Sequence, residues 1–189
     1  MSAGEELEKL LSLMARLRGP DGCPWDREQT MASLRPFILE EAYELVDAIN
    51  GGDADSIREE LGDLLLEVVF VNQIGAEQGR LRMEDAIRNV HDKLVRRHPH
   101  VFEAEKASSA EGALERWEEI KDREKGERSS VLDGVPRALP ALARAQKVST
   151  RAARAGFDWS SVSDVRAKLD EELGELEKAI ATGNQEASG

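Results

Sequence analysis

The chain has 189 residues, a formal charge of −12 and one cysteine, Cys23. That length buries a core without disulfides or metals, the acidity argues against nucleic acid as the partner because phosphate backbones want a basic face, and a lone cysteine excludes an internal disulfide. The opening MSAGEELEKLLSLMARL is acidic where a signal peptide is basic, and no apolar run reaches the length of a membrane span, so the expectation is a soluble cytoplasmic protein that binds neither nucleic acid nor membrane.

The pattern is helical almost throughout, which predicts an all-α fold. Leu7, Leu10, Leu11, Met14 and Leu17 recur at helical spacing, and Gly19-Pro20 stops that helix. A loop follows over Asp21–Asp26. A second helix is predicted over 34–50, ended by Asn50-Gly51-Gly52-Asp53, and a third over 55–78, ended by Gly79. The middle of the third, Leu64 to Val71, is apolar nearly all round, which predicts burial on several sides. A fourth helix covers 83–97. A fifth starts near Ser108, where Ser108 and Glu111 fit a capping box. The polar stretch Lys125–Ser130 reads as a linker. Beyond it come a basic helix over 136–155, the loop Gly156–Trp159, an acidic helix over 163–182 and a frayed end from Gly183.

The sharpest chemical signal is acidic. Glu40-Glu41-Ala42-Tyr43-Glu44 lies on the second helix and Glu59-Glu60-Leu61-Gly62-Asp63 on the third. Glu41 and Glu44 share one helical face, as do Glu60 and Asp63. The midpoints of the two pairs lie equally far, 9.5 residues, before and after position 52. In an antiparallel hairpin, equal offsets bring all four carboxylates to one height, where they can converge. Unscreened, they would repel and resist ionisation. A hard divalent cation resolves this, and an all-oxygen donor set suits Mg²⁺, or Mn²⁺ in its place. No histidine stands at the Glu-x-x-His spacing of a di-iron bundle. A solvated acidic face would also carry such spacing, and the residues alone leave both readings open.

Lys93, Arg96 and Arg97 share a face near the end of the fourth helix. They could clamp phosphate oxygens, or simply complement the helix C-terminus. Trp117, four before Lys121, could stack on a nucleobase or sit in the core. Nothing near Cys23 marks it as a nucleophile.

Together, Gly22-Cys23-Pro24-Trp25-Asp26, the Glu-Glu-x-x-Glu of 40–44, the Glu-x-x-Asp of 60–63, Arg96-Arg97-His98-Pro99-His100-Val101-Phe102 and Arg116-Trp117-Glu118-Glu119-Ile120-Lys121 resemble the MazG family of nucleoside triphosphate pyrophosphohydrolases, within the all-α NTP pyrophosphatase superfamily. The resemblance is close over about residues 5–125. It implies a MazG-like helical bundle whose metal site is completed by dimerisation into a homodimer. It implies Mg²⁺-dependent hydrolysis of (d)NTPs to the monophosphate and pyrophosphate, in nucleotide-pool housecleaning. It assigns metal binding and catalysis to Glu41, Glu44, Glu60 and Asp63. Nucleotide contacts fall to Lys93, Arg96, Arg97 and Trp117, with Lys121 a weaker candidate and Glu40 and Glu59 as neighbouring carboxylates that orient ligands or water. A Trp117 that stacks on the base would read little of its identity, so broad base tolerance is expected. Rival readings are related phosphate chemistry on another nucleotide or an alarmone, and a nucleotide-binding or regulatory module with little turnover.

The acidic motif returns. Glu171, Glu172 and Glu175 stand 131 residues after Glu40, Glu41 and Glu44, and Leu176, Ala179 and Ile180 repeat Leu45, Ala48 and Ile49. The Glu-x-x-Asp that would follow at the same shift falls past residue 189. The predicted organisation is a MazG-type domain over 1–125, a linker over 126–135 and a partial second repeat over 136–189, lacking its second acidic motif.

Overall fold

A computed structural model describes residues 2–103, 109–124 and 130–183, the Asp122 side chain excepted. Among the described residues every regular element is helical: α1 (Ala3–Leu17), α2 (Pro24–Glu28), α3 (Arg35–Gly51), α4 (Ala54–Glu77), α5 (Met83–Arg97), α6 (Pro99–Phe102), α7 (Ala110–Glu124), α8 (Ala141–Arg154) and α9 (Val162–Thr182). None is long and apolar enough to cross a membrane. The chain divides into two compact units, Met1–Trp117 and Glu118–Gly189, and the division falls within α7. Ser108, most of the stretch Lys125–Ser130 and residues 184–189 lie outside the described residues.

Chain punctuation sets the elements. Ser2 and Glu5 cap α1 reciprocally. The backbone then folds back so tightly that a Cβ on Gly22 would stand 2.0 Å from the Leu17 carbonyl oxygen, so only glycine fits there. The predicted loop after Gly22 holds a short helix, α2, because Pro24 at its start has the right φ and no amide to satisfy. Pro99 does the same for α6. α8 begins after Pro140, later than the predicted 136, since proline disfavours helical backbone in the residue before it.

The core of the first unit is Met14, Leu34, Val69, Phe70 and Ile74, with Leu7, Leu10, Leu11, Phe37 and Leu66 packed against it. It forms where α1 and α3 lie on α4. Within this chain α4 is not covered on all sides as its composition predicts. Leu61, Leu65 and Val68 stay exposed along one stripe, as do Leu39, Tyr43 and Val46 on α3. Two neighbouring helices bury only part of a helix's circumference, and the rest of the apolar surface has no cover among the described residues.

In the second unit Ser161 caps α9 by accepting from the Asp164 amide at 3.2 Å, and Gly183 ends it in the left-handed conformation. Among its described hydrophobic residues Ala179 alone is buried.

Candidate metal centre

The α3–α4 turn sets the register. Gly52 has φ +75° and donates to Ala48 O at 3.0 Å. Asp53 then caps α4, accepting from the Ser56 amide at 2.9 Å and the Ser56 hydroxyl at 2.8 Å. Those bonds hold the Asp53 carboxyl below its ordinary pKa. At its other end α4 is anchored by Arg18, whose side chain is mostly buried. Arg18 donates Nε to Glu77 Oε1 at 2.9 Å and Nη2 to Oε2 at 2.7 Å. Its Nη1 reaches the carbonyls of Asp26 and Gln29, and its guanidinium lies 5.5 Å from the Phe70 ring centroid. The Arg18 hydrogen bonds pull the Glu77 carboxyl below its ordinary pKa.

Between these anchors, oxygens of Glu41 on α3 and of Glu60 and Asp63 on α4 all lie within 4.8 Å of one another. Among the described residues this is the one group of three metal-type ligands so placed. Oxygens around Mg²⁺ bound at about 2.0–2.1 Å stand about 3 Å apart when adjacent and about 4 Å when opposite, so a slight inward movement closes the set on a cation. The donor set is carboxylate only, which fits a hard divalent ion and not zinc or copper.

Glu44 stands one turn along α3, exposed. Its charge acts on both neighbours. Partial burial is the first cause raising the pKa of Glu41, followed by the charges of Glu44, Asp63, Glu60 and Glu40. Burial also leads at Glu60, then Glu44, Asp63 and Glu59. Glu40 and Glu59 are exposed and act from the rim. At both residues the neighbouring carboxylates add to the effect of burial in disfavouring the charged form.

One member of this face was not singled out from sequence. Glu67, on the same side of α4 as Glu60 and Asp63, is only 8% exposed, and its Oε2 is covered and has no hydrogen-bond partner. Burial, then the charge of Glu41, raises its pKa. Its signal was a single acid inside Leu64–Val71, where charge has no place unless something meets it.

The cationic candidates form a separate group. Lys93, Arg96 and Arg97 lie on the last two turns of α5, and the Arg97 guanidinium sits 5.3 Å from the Trp117 ring centroid. His98, His100, Ala113, Leu114 and Trp117 line a cavity of about 290 Å³. Lys121 falls in the second unit. Cys23 is a half-buried free thiol at the start of α2.

The family model of the MazG nucleotide pyrophosphohydrolase domain matches residues 29–102, a span that contains α3, α4 and α5. The Escherichia coli K12 protein named nucleoside triphosphate pyrophosphohydrolase is 48% identical over 174 residues, which are 90% of this chain and 66% of that protein. The Thermotoga maritima protein named nucleoside triphosphate pyrophosphohydrolase/pyrophosphatase MazG is 46% identical over 178 residues, 94% of this chain and 68% of that one. The chain thus spans about two thirds of the length of these relatives. A crystal structure of a MazG-related protein from T. maritima superposes with a TM-score of 0.52 at 31% identity, over 61% of this chain and 98% of that one.

Proposed function

Because the chain belongs to the MazG family, we propose that its α3–α4 hairpin hydrolyses nucleoside triphosphates to the monophosphate and pyrophosphate, with Mg²⁺ as the ion and Mn²⁺ as a substitute. The observation that carries the reading is the convergence of Glu41, Glu60 and Asp63 oxygens within 4.8 Å. A cation held there would supply Lewis-acid chemistry, offsetting the charge that develops on the triphosphate.

The protein's own residues do the rest. Glu41, Glu60 and Asp63 hold the ion, and Glu44, one turn away, adds a donor at the open rim. Glu40 and Glu59 orient water near the cluster. Lys93, Arg96 and Arg97 meet the pyrophosphate as it leaves. The Trp117 ring stacks on the base and reads little of its edge, so all common bases are accepted. The role is clearance of unwanted nucleotides in the cytoplasm. A second copy covers the exposed stripes Leu61, Leu65, Val68 and Leu39, Tyr43, Val46, because together they leave an apolar face on the hairpin that carries the site.

Pyrophosphate release from mixed dNTPs with Mg²⁺, wild type beside Glu41→Gln and Asp63→Asn, tests this. Release by the wild type that both variants lose is expected. Nucleotide binding without release, in Mg²⁺ or Mn²⁺, would replace the enzyme reading with that of a nucleotide-binding module. A strong preference for one base would remove the role given to Trp117.

A further inference from the structure

The Glu41, Glu60 and Asp63 cluster accounts for the rim of the site but not for what lies beneath it. Glu67 follows Asp63 by four residues and Glu60 by seven, so the three carboxylates run down one face of α4. At 1.5 Å per residue Glu67 lies about 6 Å deeper along the helix axis than Asp63. It sits where that face meets the core, next in sequence to Leu66 and two residues before Val69. It is 8% exposed, and its Oε2 is covered without a partner. No described ion pair neutralises it, and the charge it senses most is that of Glu41, a carboxylate like itself. An acid in that position destabilises the apo fold, and a neutral or apolar side chain of the same length would pack there at less cost.

We propose that Glu67 is a further oxygen donor to the divalent ion gathered by Glu41, Glu60 and Asp63, closing the coordination from the buried side of the hairpin. The inference rests on reading the hairpin as a cation site. It explains why a lone carboxylate occupies the apolar middle of α4: its covered, unpartnered oxygen belongs to a side chain on the helical face that carries Glu60 and Asp63, and it senses the charge of Glu41. The four carboxylates Glu41, Glu44, Glu60 and Asp63 still leave a hard ion short of the six or more oxygens it prefers, places that water or a further side chain fills.

The test needs no nucleotide. Mn²⁺ binding is titrated by electron paramagnetic resonance on the whole chain, for the wild type, Glu60→Gln, Glu67→Gln and Glu67→Met, each beside a thermal melt in chelator and in Mn²⁺. Wild-type binding should weaken about 10- to 100-fold in Glu67→Met and less in Glu67→Gln, which keeps one carbonyl oxygen. In chelator both variants should melt at or above the wild-type temperature, and in Mn²⁺ below it. That reversal separates a metal donor from a packing residue, because lost packing lowers both melts. Should Glu67→Met not fold, Glu67→Gln carries both readouts alone. If Glu60→Gln weakens Mn²⁺ binding but neither Glu67 variant does, Glu67 is not a donor and the cation site stands. If the wild type binds no Mn²⁺, the cation site and this inference fall together.

Discussion

The same acidic pattern occurs twice in this chain with opposite electrostatic outcomes. On α3, Glu41 faces Glu60 and Asp63 across a hairpin, and the charge has nowhere to go. On α9, Lys168 donates to Glu171 at 2.9 Å and lies 3.0 Å from Glu172, so the acids are met by a cation from their own helix. The lysine is held in its charged form beyond the usual lysine range by those two carboxylates. Glu-Glu-x-x-Glu is therefore not a metal site in itself. Among the described residues, only where a second helix brings further acids to the same height do three carboxylates come within 4.8 Å of one another, as a metal site requires. The two regions also differ in packing: among the described residues the first unit has five buried apolar side chains in one cluster, whereas Leu169, Leu173, Leu176 and Ile180 of α9 are exposed.

The largest expected effect probes that packing difference. Phe70→Ala removes a ring from the core that carries α4 and takes away the partner of the Arg18 guanidinium. It should cost about 3–5 kcal/mol of stability in a denaturant melt. Leu173→Ala, at a side chain 49% exposed, should cost less than about 1 kcal/mol. Equal losses would mean that α9 is as firmly buried as α4, and the contrast would fail.

Next comes the contrast between the two motifs. Asp63→Asn should lower pyrophosphate release about a hundredfold or more, since it removes a donor where charge must be offset. Glu172→Gln should leave release within about twofold of wild type, as expected of a surface change outside the site. A comparable loss in Glu172→Gln would show that the second motif shares in the chemistry.

Much of this contrast was legible in the sequence. The turn at Gly51-Gly52 with the cap Asp53 announces the hairpin, and counting outward from it places Asp63 opposite Glu41. α5 runs over the predicted residues, and α1, α3 and α4 end within one or two residues of the predicted stops. What stayed hidden has physical causes. α2 and α6 have five and four residues, too few to show a hydrophobic period, and each is started by a proline. The exposure of Leu61, Leu65 and Val68 depends on how many neighbours α4 receives, which composition does not state. Glu67 hides in an apolar run because a periodicity argument averages over a single charge. The pairing of Lys168 with the repeat's acids follows from spacings of three and four residues on one helix, which a comparison of the two acidic motifs alone does not include.

A smaller effect is the response to metal. With the ion at a hundred times its dissociation constant, a single site adds about 2.7 kcal/mol to the folded state. Mn²⁺ or Mg²⁺ should therefore raise the wild-type melting temperature in a thermal shift measurement. Asp63→Asn should abolish most of that rise, and Glu172→Gln should keep it. A rise that survives Asp63→Asn would place the ion elsewhere in the chain.

The smallest expected effect is a difference in pH response, measured in chelator by urea melts from about pH 4 to about pH 8. Glu41 has a raised pKa in the folded chain, so folding holds a proton that the unfolded chain releases. Its favourable contribution is complete below the ordinary glutamate pKa and is lost as pH rises through the folded value. Glu41→Gln should then match wild type near pH 4 and exceed it near pH 7, where the wild type carries the uncompensated charge. Lys168 also has a raised pKa, but for a lysine the loss comes only as pH rises through a value above the usual lysine range. Lys168→Met should therefore lie slightly below wild type by a nearly constant margin around neutral pH. Other titrating groups are common to wild type and variant and drop out of each difference when they lie apart from the altered site. A flat difference for Glu41→Gln would mean that the hairpin acids oppose one another no more than those of α9 do, and the electrostatic contrast between the two motifs would be absent.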